Sequence, residues 1–233
     1  VKIAIISDIH SNLPALEAAL KSIEEKGVDK IFCLGDIVGY GAEPGPCVDL
    51  VRGHCDGVIR GNHDEAVAIE RGIGYLPSDG QVAAKHNRKA LTDEQLAYLS
   101  NLPLVLVTDG FTFVHATPQH PESWLRLDSY QISQQQFEHF DTAICFVGHT
   151  HIPAVMADRL GVLQVRPGNR YLINVGSVGQ PRDHSPWLSY GLFDTETFSY
   201  ENVRCPYDVG AAAASILAAG LPHRLAERLK TGR

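Results

Sequence analysis

Five short apolar runs in this chain each stop at a residue able to bind a metal, and that recurrence restricts the fold more than any other feature. Residues 1–7 run into Asp8-Ile9-His10, residues 30–34 into Gly35-Asp36, and residues 58–60 into Gly61-Asn62-His63-Asp64. Residues 111–114 end at His115, and residues 143–147 at Gly148-His149-Thr150-His151. Apolar runs of this length bounded by turn residues predict buried strands. In open α/β sheets, functional groups gather beyond the carboxyl ends of the strands. Asp, His and Asn at five strand ends are therefore expected to converge on one place.

The segments between these runs predict the layers around them. Asn12 caps a helix with Pro14 in its first turn; Leu13, Leu16, Ala19, Leu20 and Ile23 keep helical spacing, and Gly27 stops it. A glycine-rich loop over 35–45 precedes a short helix over 46–52, and a third strand spans 57–60. Residues 65–101 read as helical, with Thr92-Asp93-Glu94-Gln95 as a capping box for the last helix. Strands 105–107 and 111–114 flank Thr108-Asp109-Gly110, a hairpin signal. Residues 116–141, polar and aromatic with Trp124, Tyr130 and a Gln-rich run, read as a surface excursion that shapes the substrate site. Strands are expected over 162–165, 171–175, 187–193 and 198–203, and helices over 209–217 and 222–230. No repeat or long linker divides the chain, so residues 1–233 are expected to form one domain. The pattern predicts an α/β (α+β) fold, with two sheets packed face to face and helices outside.

Composition narrows the function classes. A net charge of −7 argues against general nucleic-acid or membrane-surface binding. No run approaches the ~20 apolar residues of a membrane span. Residues 1–6 are too short, and interrupted by Lys2, for a signal peptide. The five cysteines are odd in number and form no CxxC pair, which fits free thiols in a cytoplasmic protein. Any metal is then left to nitrogen and oxygen ligands.

Asp8 and His10 are two apart on extended chain, so both face one way, and His149 and His151 share that spacing. Asp36 follows a glycine, where the backbone can turn sharply. Asn62 adds an amide oxygen and His115 an imidazole. Each motif alone has an ordinary reading as a turn or a solvated strand end; the five in order do not. Two metals about 3.5–4 Å apart need roughly this inventory, with one carboxylate bridging. The expected division is Asp8, His10, Asp36 and His151 on one ion, and Asp36, Asn62, His115 and His149 on the other. Two aspartates against two divalent cations leave a local charge of about +2, which draws phosphate.

In this order, D-x-H, G-D, G-N-H-D, H and G-H-x-H resemble the calcineurin-like metallophosphoesterase superfamily. The resemblance implies a four-layer α/β/β/α sandwich of two mixed β-sheets flanked by helices, with a dinuclear metal centre. Ser7–Asn12, His115–Pro118 and Asn174-Val175-Gly176-Ser177-Val178-Gly179-Gln180-Pro181-Arg182-Asp183 look like the small bacterial and archaeal phosphoesterases of this superfamily. Protein phosphatases and dinucleoside-polyphosphate hydrolases carry G-D-x-x-D-R-G, whereas this chain has Gly35-Asp36-Ile37-Val38-Gly39-Tyr40-Gly41. Those two activities are therefore alternatives to the leading one. Arg60, before the Asn62 motif, is expected in a structural ion pair.

The expected reaction is hydrolysis of a small phosphodiester or phosphomonoester, by in-line attack of a hydroxide bridging two divalent ions. The resemblance implies that His63 assists the leaving oxygen and makes Mn²⁺ the first choice over Fe or Zn²⁺; Asp64 could orient His63, although adjacent residues often point apart. Arg182 and Tyr40 are weaker candidates for substrate contact; Trp124 and Tyr130 could stack on a base or aryl group. Asn174 and Ser177 are expected to brace their loop. A metal-stabilised scaffold without activity is the non-enzyme alternative.

Overall fold

Alternate residues of the first strand face two different cores, and this places every other layer. The computed structural model describes all residues except Leu163. In chain order, β1 (Lys2–Ile6) leads through α1 (Leu13–Glu25) to β2 (Lys30–Cys33), and α2 (Pro44–His54) leads to β3 (Gly57–Val58). Three helices follow, α3 (Asn62–Ile69), α4 (Ser78–Ala90) and α5 (Asp93–Asn101), then β4 (Val105–Thr108) and β5 (Phe111–Val114). After α6 (Tyr130–Gln135) come β6 (Ile144–Val147), β7 (Ala154–Ala157), β8 (Tyr171–Asn174), β9 (Leu188–Asp194) and β10 (Ser199–Cys205). Helices α7 (Val209–Ala218) and α8 (His223–Thr231) close the order.

The strands form two mixed five-stranded sheets, ordered β10-β9-β1-β2-β3 and β4-β5-β6-β8-β7. β1, β2 and β3 are parallel, and β9 runs antiparallel along the other side of β1. β5, β6 and β8 are parallel in the second sheet. Ile3 and Ile5 of β1 point between the sheets, into a core with Phe32, Phe111, Phe113, Ile144, Phe146, Ile173 and Phe193. Phe32 and Phe113 stack across the sheets with centroids 4.4 Å apart. Ala4 and Ile6 point the other way, against Leu16, Ala19 and Ile23 of α1 and Val48 and Val51 of α2. A period of two on a strand and a stripe on each helix thus build the layers. The chain is an α/β/β/α sandwich with its sheets face to face.

Local chemistry explains the element ends. Asn12 Oδ1 accepts from the Ala15 amide at 3.2 Å, and Thr92 and Gln95 exchange the two bonds of a capping box. Asp109 and Gly110 both take positive φ, 54° and 81°, as a tight hairpin between β4 and β5 requires.

Several expectations shift. The 65–101 region is three helices, broken where Glu70 and Gly72 turn left-handed and where Pro77 precedes α4. β7 is an additional edge strand; its Ala-Val-Met-Ala sequence carries no strong strand signal. The strand expected over 162–165 includes Leu163, which lies outside the described residues; Val162, Gln164 and Val165 are not in a strand. Residues 116–141 are not irregular throughout: they hold two short 3₁₀ turns and α6, whose cap is Ser129. Among the described residues no helix is long and apolar enough to cross a membrane.

Candidate metal centre

Parallel strands send their carboxyl ends to one edge, and both sheets present that edge to the same cleft. Asp8 and His10 follow β1, Asp36 follows β2, and Asn62 and His63 open α3 just past β3. His115 follows β5, and His149 and His151 follow β6. The structure brings these side chains together. His151 Nε2 lies 3.2 Å and His10 Nε2 3.8 Å from Asp8 Oδ1. Asp36 Oδ2 lies 3.7 Å from His10 Nε2 and 3.3 Å from His115 Nε2, so it faces both halves of the cluster. Ligand-type atoms of Asp8, His10 and His151 fall within 4.8 Å of one another, as do those of Asp36, His115 and His149. His63 falls within the same reach of His10 and Asp36.

The turns that aim these groups are conformationally unusual. Asp8, His10, Asp36, His149 and His151 all adopt φ between 51° and 66°. Such left-handed backbone is uncommon away from glycine and gathers at functional sites. Gly61 packs directly on the Asp36 carboxylate, and Gly148 on Ser7 and Asp8, so neither position has room for a Cβ.

Surrounding hydrogen bonds set the tautomers. The Nδ1 atoms of His10, His115 and His151 donate to the backbone carbonyls of Val38 (3.1 Å), Leu34 (2.8 Å) and Gln180 (2.5 Å). Each ring then turns an Nε2 lone pair inward, the arrangement of metal-binding histidines. Ser7 Oγ and the His149 amide donate to Asp8 Oδ2, leaving Oδ1 free. Asp36 Oδ1 accepts the His63 amide at 2.7 Å, leaving Oδ2 free. Among the described residues, Asp8 Oδ1, Asn62 Oδ1, His63 Nδ1 and His115 Nε2 are buried without a hydrogen-bond partner. Buried polar atoms are rarely left so. Four orphaned donors and acceptors in one cluster fit a group of hard cations with N and O ligands.

Charge perturbation follows the geometry. Burial holds His63 down to about 4 and, with help from His115, His149 down to about 3. His115 goes the other way, up to about 9: burial alone would lower it, but the adjacent Asp36 carboxylate outweighs that. Burial would raise Asp8 and Asp36, yet the histidines around them hold both carboxyls below the usual range.

Asp64 does not orient His63. Its carboxylate accepts the amides of Asp36, Ile37, Val38 and Gly61 at 2.8–3.2 Å, and so fixes the Asp36 turn. As the third residue of α3 it points back over the helix start, whereas His63 points into the cleft; adjacent helical residues diverge. Arg60 does form a structural contact, 3.5 Å from Glu65 and 2.8 Å from the Ser100 carbonyl. Asn174 and Ser177 brace the loop: Asn174 Nδ2 donates to the Gly148 carbonyl and Ser177 Oγ to that of Asp8.

The cluster opens into a cleft of about 390 Å³ lined by Tyr40, Arg182 and Trp124 as well as by the histidines. Tyr40 is buried with its ring 4.7 Å from His10 and 4.4 Å from His63. Tyr130 is exposed and borders a neighbouring cavity instead. Sequence reasoning missed Arg71, Tyr75 and Arg126 at the cleft mouth, which lie in segments with no motif. It also missed Asn87, fully buried on α4, whose amide holds Ser11, Gly39 and Gly41 in place. A buried polar residue in mid-helix is a signal only once burial is known.

Comparison with known proteins agrees with this architecture. A calcineurin-like phosphoesterase superfamily domain profile matches residues 1–198. An uncharacterized protein of Methanocaldococcus jannaschii is 43% identical over 99% of this chain and 98% of its own length. A metallophosphoesterase from Sphaerobacter thermophilus superposes with a TM-score of 0.89 at 37% identity, covering 100% of this chain and 99% of that one. Phosphodiesterase YfcE of Escherichia coli is 24% identical over 85% of this chain and 90% of its own. With two sheets, a shared ligand-bearing edge and a profile match over most of its length, the chain belongs to the calcineurin-like phosphoesterase superfamily.

Proposed function

We propose that the chain is a dinuclear, divalent-metal-dependent phosphoesterase, with Mn²⁺ as the preferred ion and a small phosphate ester as substrate. The observation that carries this reading is the set of inward-facing atoms Asp8 Oδ1, Asn62 Oδ1 and His115 Nε2, buried together without hydrogen-bond partners. Asp8, His10, Asp36 and His151 would hold one ion, and Asp36, Asn62, His115 and His149 the other. When bound, the two cations supply Lewis acidity, acidifying water and neutralising phosphoryl charge.

The remaining work falls to the protein. Arg182 and Tyr40 border the position that a phosphoryl group takes beside the cluster. His63 faces the leaving oxygen. In the metal-free protein burial holds His63 down to about 4, so its neutral ring donates one N–H; the negative charge of a bound phosphate favours the protonated ring that passes a proton to the leaving oxygen. Residues 116–141 contribute Ser123, Trp124 and Arg126 to the cleft wall, which supports their role in shaping substrate choice within a single domain. The phosphodiesterase relative favours a diester. All five cysteines are free, in keeping with a cytoplasmic location.

The test is turnover of an aryl phosphodiester and an aryl phosphomonoester by metal-stripped protein, with and without added Mn²⁺. Metal-stimulated hydrolysis of the diester is expected; no stimulation on either ester overturns the reading. His63→Ala should lower kcat by about 10²–10⁴-fold and retain bound metal. Loss of metal from that variant would instead make His63 a ligand, a reading favoured by its reach to His10 and Asp36.

A further inference from the structure

Arg182 and Arg228 lie side by side without a counter-charge. Gln180 Oε1 accepts from Arg182 Nη2 at 2.9 Å and from Arg228 Nη1 at 3.3 Å. Both guanidinium groups sit against the Tyr40 ring, 5.6 Å and 5.8 Å from its centroid. The Nε of each is buried without an acceptor. Among the described residues no carboxylate lies within 4.0 Å of either; Asp79 acts on Arg228 from farther away.

Like charges gathered around one neutral amide oxygen repel, and partly buried charges left unpaired are costly. The fold imposes the arrangement all the same. The Arg182 amide donates to the His151 carbonyl at 3.2 Å, which ties this arginine to the metal-ligand cluster. Arg228 comes from α8, anchored by buried Leu225 and Leu229 against α7. Arg182 reaches the cleft that His63, His149 and His151 also line. Cationic donors held in place, with Arg182 lining the cleft and Arg228 joined to it through Gln180, call for an anion.

We infer that Arg182 and Arg228, bridged by Gln180 and seated on Tyr40, form a subsite for a second phosphate group of the substrate. The inference rests on the phosphoesterase reading and names its substrate class: phosphoesters that carry a further phosphate. The scissile phosphate occupies the ligand cluster, and the distal one meets the two guanidinium forks, whose summed charge matches a phosphate dianion.

Two chromogenic substrates test this, the p-nitrophenyl ester of thymidine monophosphate and the same ester bearing a second phosphate on the sugar. Metal-loaded wild-type protein should favour the phosphorylated ester by about tenfold in kcat/KM, mainly through KM. Arg228→Gln should shrink that ratio to about two, while Arg228→Lys, which keeps the charge but loses the fork and the seat on Tyr40, should fall between the two. A ratio near unity in the wild type, an unchanged ratio in Arg228→Gln, or equal losses in both variants overturns the inference. A second arm needs no turnover. Inorganic pyrophosphate titrated calorimetrically into metal-depleted protein should bind Arg228→Gln about tenfold more weakly than wild type, and equal affinities overturn the inference. If neither ester reacts yet pyrophosphate discriminates, the reaction reading falls and the subsite stands.

Discussion

His10 and His151 turn their Nε2 atoms toward each other at 3.1 Å while each commits Nδ1 to a backbone carbonyl. With both ring protons so placed, two lone pairs meet, and only a cation relieves them. Mn²⁺ at about a hundredfold over its Kd should therefore stabilise the fold by about 2.7 kcal/mol. For a chain of this size each kcal/mol is worth about 2–4 °C in Tm. A melting scan with and without the ion checks this; an unmoved midpoint contradicts it.

Asp64 accepts four backbone N–H groups, three from the turn that carries Asp36 and one from Gly61 at the start of its own helix. Asp64→Ala leaves those donors buried and unsatisfied, which should cost about 3 kcal/mol or more. Asp64→Asn keeps one acceptor oxygen and should lose less. Urea unfolding of both variants measures the difference, and wild-type midpoints in both would remove the role assigned to Asp64.

Gly61 and Gly53 make a matched pair. A Cβ at Gly61 would strike the Asp36 carboxylate, whereas one at Gly53, on α2, meets nothing within 4 Å. Gly61→Ala should bind about one metal equivalent fewer if, as proposed, Asp36 serves both ions. Gly53→Ala should bind the full complement and gain about 0.5–1 kcal/mol in stability. Metal analysis after gel filtration decides it; full loading of Gly61→Ala would refute the crowding argument.

Acid should weaken the metal-depleted protein well before its carboxylates titrate. Burial holds His63 near 4 and His149 near 3 and lowers His10 and His151, against 6.5 for an ordinary histidine. Below pH 6.5 the unfolded chain takes up protons that the folded one refuses, so stability falls with falling pH by about 1.4 kcal/mol per unit for each histidine. Asp64, raised by burial and the Asp36 charge to about 7, opposes this with a single proton. His115, raised to about 9, loses its contribution only as pH climbs through that value. Thermal midpoints should be lower at pH 5 than at pH 7, and an equal or higher value at pH 5 would count against these burial effects.

Much of this was legible in the residues. Strands with apolar runs and polar ends were visible because each ends at a turn residue, and the caps at Asn12 and Thr92 were visible because capping is local. β7 was not, since Ala154–Ala157 is strand only through its pairing with β8. Asp64 shows a different limit. Its neighbourhood in sequence suggested His63, but helix geometry sends the two side chains apart, and three of its four partners come from the Asp36 turn, 26–28 positions away. Arg228 was silent for a related reason, standing 46 positions after Arg182 and meeting it through Gln180 and the Tyr40 ring.

The left-handed turns at Asp8, His10, Asp36, His149 and His151 join two demands that are usually separate. Apart from glycine, the residues that enter this backbone region most readily are Asn, Asp and His, the same short alphabet that offers oxygen and nitrogen to hard cations. Geometry and chemistry thus select one residue at each turn. A Glu or Cys exchanged into these places would have to hold a backbone that neither readily adopts, so the site can be redesigned at its rim far more freely than at its centre.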